Sequence, residues 1–534
     1  MNYCIRKWNH FFTSAMILVF ILGLTACADT TMVKKAQFAV YPNQSTRLAR
    51  LIDNAAFTQS GKAGFRLIQN GMEAYAYLLY LIKTADVSLD LQYWSLHQDK
   101  TGQVLIHQLL NAADRGVKIR LLLDDFIANG GNANLFTLAQ HPNIQVRLYN
   151  PIAKRQWLRP LSLLTHFNKS NRRMHNKVFI ADNQVAIVGG RNVGDAYYLA
   201  KPSYFYRDLD VMAIGSATQK VSESFDAYWN ARWAVPIKKM NKRLILPIVY
   251  KNSRSKLRKQ FKRFSKSQYW QALKRYQPES TYRNNRQAFI WANYYVFYDP
   301  PSKVAGIKKS SNRFLEKIIS DRMKQARNNV NIITPYFVPQ KFGLRWTRKL
   351  KVHGVKLSVL TNSLAANDFS LSHGAYQNYR IRLLKNGVHL YEFSPYALKQ
   401  KRQSMYWHAS PPIARLHAKA VTIDNRYAFI GSVNFTPRSR YLNTEITVFI
   451  DSTQITQQLN SSFSQLLGNG NSYKLALRKV ENDDEGNEEM DMTTHYQVVW
   501  RSLKHQESIT DPNAGLFKQF MISVITLLPI EDLL

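Results

Sequence analysis

Cysteine is almost missing from this chain of 534 residues, where Cys4 and Cys27 are the only two. That excludes a disulfide framework and a thiolate metal cluster in the body of the protein. Acidic residues are also scarce, with 35 Asp and Glu against 73 Lys and Arg, for a formal net charge of +38. So basic a chain points to anionic partners such as phospholipid headgroups, nucleic acid or lipopolysaccharide, and says nothing about fold. No His, Cys, Asp and Glu residues recur at metal-ligand spacing, and no glycine-rich loop runs into Lys-Ser or Lys-Thr. Neither a bound metal nor a cofactor is therefore expected. The apolar run near the C-terminus is shorter than the roughly 20 residues that a helix needs to span a bilayer.

What the N-terminus does contain is an export pattern. Arg6 and Lys7 precede an apolar run over residues 15–24, which ends in Leu24-Thr25-Ala26-Cys27. A charged start, a short apolar core and small residues at the end are the three parts of a signal peptide. The last four residues resemble a bacterial lipobox, which makes Cys27 the expected site of lipid attachment; an ordinary signal peptide or an uncut anchor is the alternative. The expected product is a lipoprotein held at the cell-envelope membrane and facing the periplasm. Ala28 after the cysteine leans toward the outer membrane over the inner one.

Past the tether at residues 28–62, the chain repeats itself at an offset of about 240 residues. His175-Asn176-Lys177, Asp182, Gly189 and Asn192 recur with the same spacing as His417-Ala418-Lys419, Asp424, Gly431 and Asn434. Gly116-Val117-Lys118-Ile119 recurs as Gly354-Val355-Lys356-Leu357, so the duplication extends well beyond one motif. A length of 534 residues also exceeds the roughly 250–300 at which a single core stops growing. The expected divisions are a first repeat at 63–236, a basic insert at 237–295, a second repeat at 296–470, an acidic loop at 471–495 and an apolar C-terminal helix at 496–534.

Apolar spacing predicts helices at 72–84 and 103–113 and strands at 87–93 and 117–123, with the same alternation after residue 314. Alternating helices and strands argue for an α/β fold, a mostly parallel or mixed sheet covered by helices. Within the basic insert, Leu257, Phe261 and Phe264 recur at helical spacing, which fits either an amphipathic helix on an anionic membrane or a solvated linker with a packing stripe. Near the end, Leu516, Phe517, Phe520, Met521, Val524, Leu527 and Leu528 form one apolar face, expected to dock on the protein's own core, with membrane contact as the second reading.

His175 and Lys177 stand two apart, so on a strand both face one side. Asp182 lies seven residues from His175 at a turn. It and Asp424 are expected to hold their turns by bonding backbone amides rather than take part in chemistry. Asn192 and Asn434 follow the glycines in loops from which an amide reaches back to the same pocket. Two His, two Lys and two Asn meeting at one point suit phosphoryl or phosphatidyl transfer: one imidazole attacks phosphorus, the other moves the proton, and the cations and amides stabilise charge on the oxygens. Each imidazole needs an acceptor at its second nitrogen. Asp208 and Glu445, equivalent when Val211 is aligned with Val448, are the candidates, with Asp210 as the fallback in the first half.

These stretches resemble the paired HKD motifs of the phospholipase D superfamily. Residues 171–177, Gly189-Gly190-Arg191-Asn192 and the closing Leu528-Pro529-Ile530-Glu531 resemble bacterial cardiolipin synthases of the C type. The resemblance implies a bilobal phospholipase D-like fold of two pseudo-twofold-related domains and a two-step, metal-independent reaction with His175 as nucleophile and His417 as acid and base, an assignment that the near symmetry leaves reversible. It also implies phospholipid substrates, phosphatidylglycerol and a second phospholipid, at an anionic membrane. A hydrolase using water as acceptor and a nuclease of the same superfamily are the alternatives; a lipid anchor disfavours nucleic acid. A purely lipid-binding role is disfavoured because both halves keep their His, Lys and Asn.

Overall fold

The computed structural model describes residues 36–52, 61–128, 133–152, 170–240, 247–283, 288–306, 314–398, 412–480, 495–502 and 507–526. The export pattern with Cys27, the acidic run at 481–491 and the apolar and motif residues from 527 onward lie outside the described residues.

Eight strands of the first repeat are β1 (Lys62–Ile68), β2 (Ser88–Tyr93), β3 (Lys118–Asp124), β4 (Ile144–Tyr149), β5 (Val178–Ala181), β6 (Val185–Gly189), β7 (Tyr204–Arg207) and β8 (Asp210–Gly215). The second repeat supplies β9 (Ile290–Tyr298), β10 (Asn329–Ile333), β11 (Lys356–Asn362), β12 (His389–Phe393), β13 (Ile413–Leu416), β14 (Ala420–Ile423), β15 (Tyr427–Gly431) and β16 (Ile446–Asp451). In the first half the pairing runs β4, β3, β2, β5, β6, β8, β1, with β4, β3 and β2 parallel and the rest antiparallel. The second half repeats this order as β12, β11, β10, β14, β15, β16, β9. Antiparallel pairing of β1 with β9 joins the halves into one mixed sheet of 18 strands.

Local chemistry accounts for the element boundaries. Helix α1 (Gly71–Thr84) starts where Asn70 accepts from the amides of Met72 and Glu73, and α2 (Lys100–Asp114) starts where Asp99 accepts from Gly102. The hairpins β5–β6 and β14–β15 turn on Asp182-Asn183 and Asp424-Asn425, all four at φ between 51° and 55°. Asp and Asn tolerate this left-handed conformation better than bulkier residues, so the turn type follows from the sequence. Three apolar clusters fill the molecule, one for each repeat and one between them. The middle cluster draws Phe65, Val188 and Val211 from one half and Ala420, Ile446 and Val448 from the other.

Where an acidic loop at 471–495 and a helix from 496 are expected, strands at Ser472–Val480 and His495–Arg501 pair antiparallel and extend the sheet. Two helices also differ from expectation. The basic insert forms helix α3 (Pro247–Phe264), but Leu257 and Phe264 are buried and the Phe261 ring lies 4.9 Å from His107 of α2. Its apolar stripe is therefore spent on the protein, and Lys251, Lys256, Arg258, Lys259, Lys262 and Arg263 face outward. Conversely, the C-terminal apolar face is expected to dock on the protein's own core. After helix α4 (Ser370–Gln377), helix α5 (Leu516–Thr526) packs on α4 with Ile522 buried. Yet Leu516, Phe517 and Phe520 are 85%, 78% and 64% exposed. Spacing defines an apolar stripe but not which side of a helix meets its neighbour.

Candidate active site

His175 and Lys177 do not lie on β5 but in the extended segment that leads into it, and His417 to Lys419 likewise precede β14. Backbone bonds from the opposite half hold each segment. The His175 amide donates to Thr444 O at 2.9 Å, and the His417 amide donates to Arg207 O at 2.8 Å. Thr444 and Arg207 directly precede Glu445 and Asp208, so each anchor brings a carboxylate alongside an imidazole.

The result is a crossed pair of dyads. His175 Nδ1 lies 2.8 Å from Glu445 Oε2, and His417 Nδ1 lies 2.6 Å from Asp208 Oδ2. A carboxylate at Nδ1 selects the N–H there and leaves the Nε2 lone pair free; at His417 the shorter contact to Asp208 competes with Lys419 Nζ, which lies 2.9 Å from the same nitrogen. Asp210, the fallback, is instead paired with Arg191 Nη1 at 2.6 Å. The glycines and serine of the motif make room for these partners. A Cβ on Gly190 would overlap the Asp208 carboxylate. In the second half Ser432 occupies the matching position and donates from its hydroxyl to Glu445 at 2.5 Å. Ser439 donates to the other Glu445 oxygen at 2.6 Å.

Charge at the site follows from burial. Burial pushes His175 down to about 4, with the Glu445 charge opposing it, and burial and the Lys419 charge also lower His417. Both imidazoles are therefore neutral near pH 7 in the free protein. Burial works against ionisation of Asp208, but the charges that His417 and Lys419 carry at low pH outweigh it and hold the carboxyl at about 2. Glu445 is held below the usual glutamate range for the same reasons, through His175 and Lys177. Loss of solvent drives Lys177 well below the ordinary lysine value and Lys419 down to about 8. Each ammonium donates to the carbonyl of its own histidine, Lys177 at 2.6 Å.

Asn192 and Asn434 line the same cleft of ≈ 440 Å³ as His175 and His417. Asn192 Nδ2 donates to the Tyr197 hydroxyl at 3.0 Å, and its Oδ1 accepts from the Ser95 amide. Asn434 Oδ1 is buried with no hydrogen-bond partner among the described residues. Asp182 and Asp424 stand outside the cleft. Asp182 accepts from the amides of Asp86, Val87 and Ser88, and Asp424 from those of Arg327, Asn328 and Asn329. These amides belong to the entry of the neighbouring strand rather than to the aspartates' own turns. Each carboxylate thus pins a hairpin to the parallel half of its sheet.

The sequence reading missed the walls. Beside His175, Trp94 lies at 5.9 Å edge-on and stacks on Phe126 at 5.6 Å. Beside His417 stand Tyr197 at 5.3 Å and Tyr206 at 5.1 Å, and Tyr206 and Tyr336 both donate to Asp368 at 2.6 Å. No motif connects these positions; only the fold assembles them. Among the described residues no group of three His, Cys, Asp or Glu side chains is placed to hold a metal ion.

Comparison with known proteins bears on this geometry. The family described as "Cardiolipin synthase, PLD-like domain" matches residues 78–233 and 319–467. Cardiolipin synthase C of Escherichia coli is 34% identical over 501 residues, covering 91% of this chain and all of that protein. The major cardiolipin synthase of Bacillus subtilis is 24% identical, over 81% of this chain and 75% of its own. Among solved structures, phosphatidylserine synthase of Haemophilus influenzae superposes with a TM-score of 0.51 at 15% identity, over 81% of this chain and 92% of that one, a likeness of fold.

Proposed function

The chain belongs to the phospholipase D-like cardiolipin synthase family of phosphatidyltransferases, and from that premise we propose that it joins a phosphatidyl group to the headgroup hydroxyl of phosphatidylglycerol through a covalent phosphohistidine. Crossed His–carboxylate dyads opening on one cleft carry this reading. In the first step His175 Nε2 attacks the donor phosphorus. The N–P bond forms, the P–O bond to the donor headgroup breaks, and the departing oxygen takes a proton from His417. In the second step His417 removes the proton of the acceptor hydroxyl, whose oxygen attacks phosphorus and releases His175.

His175 is assigned as nucleophile on the resemblance of its motif to the first motif of the family, and its neutral imidazole has the lone pair that attack requires. His417 gains its proton when a substrate phosphate brings negative charge, and Asp208, ionised throughout, stabilises the imidazolium. Asn192 and Asn434 donate to the phosphoryl oxygens from the cleft wall, while Lys177 and Lys419, buried and bonded to the carbonyls of their histidines, supply positive charge beside them; the substrate's negative charge offsets the desolvation that pulls both lysines down.

The setting favours lipid over polynucleotide. Helix α5 exposes Leu516, Phe517 and Phe520, and its Lys518 donates to Asn367 O at 2.9 Å, next to the cleft residues Asp368 and Phe369. An exposed apolar helix beside the cleft mouth, on a chain of charge +38, suits contact with an anionic bilayer. No helix among the described residues is long and apolar enough to cross a membrane. Attachment is assigned to a lipid on Cys27 at the periplasmic side of the envelope. Expression in cells that lack cardiolipin, followed by mass spectrometry of their lipids, tests the function. Cardiolipin is expected from the intact chain and not from His175→Ala or His417→Ala; no transfer product from the intact chain would overturn the proposal.

A further inference from the structure

The two flanks of the cleft are unlike, although the catalytic residues repeat. Asn192 and Asn434 are equivalent, but four residues on the first half has Ala196 where the second has Arg438, and both line the cleft. Arg438 sits half-buried in the wall on the His175 side. Its only side-chain hydrogen bonds among the described residues go to Asn171, one to the carbonyl oxygen at 3.1 Å and one to the side-chain oxygen. Among the described residues no carboxylate pairs with it.

A second guanidinium stands behind it. Arg173 is buried and tied to Ser170 O at 2.7 Å, Asn150 O at 3.1 Å and Asp124 at 3.4 Å. Loss of solvent, and then the like charge of Arg173, lower Arg438 to about 10. The backbone locks the pair together, since the Asn443 amide donates to Arg438 O at 2.8 Å and the Thr444 amide donates to Arg173 O at 2.9 Å. Asn443 also lines the cleft, and its buried Oδ1 has no hydrogen-bond partner among the described residues. On the opposite flank His417 meets Tyr206, whose hydroxyl donates to Asp368, and the cation there, Lys201, lies 4.1 Å over the Tyr204 ring.

We propose that Arg438, backed by Arg173, forms a second phosphate subsite that holds the acceptor lipid's own phosphodiester while its hydroxyl is presented to the phosphohistidine. This deepens the transferase reading and rests on it. The hydroxyl of phosphatidylglycerol is joined to that lipid's phosphate through a glycerol bridge, so the phosphate must find a place in the cleft beside the reacting phosphorus. Water and simple alcohols carry no such group. A guanidinium with open donors binds a phosphate oxygen pair in fork geometry, which selects the phosphorylated acceptor. The subsite thereby biases the enzyme toward transfer and away from hydrolysis.

The test compares two acceptors, phosphatidylglycerol and ethanol, with one phospholipid donor in mixed micelles. In Arg438→Gln the ratio of kcat/KM for phosphatidylglycerol to that for ethanol is expected to fall at least tenfold, with more phosphatidic acid formed by water. Arg438→Lys keeps the charge but not the fork and should fall between. Asn443→Asp, which adds a negative charge at the same wall, gives an independent readout and should lower the same ratio. A ratio at the wild-type value in Arg438→Gln and Asn443→Asp would overturn the subsite. No transfer to phosphatidylglycerol by the wild-type protein would instead sink the transferase reading.

Discussion

At the scale of single residues, the chemistry turns on what burial does to charge. Lys419 is an active cation only while protonated, and loss of solvent brings it to about 8 instead of the ordinary value near 10.5. As pH rises through that point the ammonium is lost, so kcat/KM should decline above about pH 8 by up to tenfold per unit. Rate profiles between pH 6 and 10 check this, and a flat profile to pH 9.5 would contradict it. Much of the residue-level site was legible beforehand. The repeated spacing singled out His175, Lys177, Asn192, His417, Lys419 and Asn434, and the Val211–Val448 alignment found Asp208 and Glu445. What spacing could not give is the crossing, because His175 and Glu445 are 270 positions apart and meet through bonds to Thr444 that no local pattern encodes. Arg438 was missed for a related reason: a lone arginine after a motif asparagine gains meaning only beside Arg173.

At the scale of elements, periodicity located helices and strands well and said less about what each face meets. The expected helix at 72–84 and strand at 117–123 lie within one residue of Gly71–Thr84 and Lys118–Asp124, because the Asn70 cap marks the start of the helix and Gly116 closes the turn before the strand. Helices α3 and α5 show where that logic stops. Both carry an apolar stripe; α3 spends its stripe on α2, while α5 leaves most of its own in solvent. Full burial of one Phe side chain is worth about 1.5–3 kcal/mol. The double variant Phe517→Asp, Phe520→Asp should therefore reduce partitioning onto vesicles of phosphatidylglycerol at least tenfold in a sedimentation assay, while a soluble phosphodiester is still turned over. Unchanged partitioning would remove α5 as the membrane contact.

At the scale of the whole molecule, duplication explains why one cleft serves two half-reactions. Each repeat brings a histidine and a carboxylate, and the continuous sheet through β1 and β9 sets them so that each carboxylate serves the other's histidine. Neither half is then complete alone. The α/β class and the bilobal repeat could be read from alternating elements and a common offset; the joining of both halves into one sheet could not, since β1 and β9 share no motif. Crossing also gives the two carboxylates separable roles, Glu445 for the attacking imidazole and Asp208 for the one that moves protons. A phosphatidyl donor with a p-nitrophenol leaving group needs no acid in the first step, so it tells these roles apart. Rapid-quench kinetics with this donor, followed by mapping of phosphohistidine, is the most direct measurement. Asp208→Asn should release a full burst of nitrophenol and accumulate phosphatidyl enzyme on His175, whereas Glu445→Gln should lose the burst; the reverse pattern with the label on His175 would contradict the crossed site, and label on His417 would overturn the choice of nucleophile.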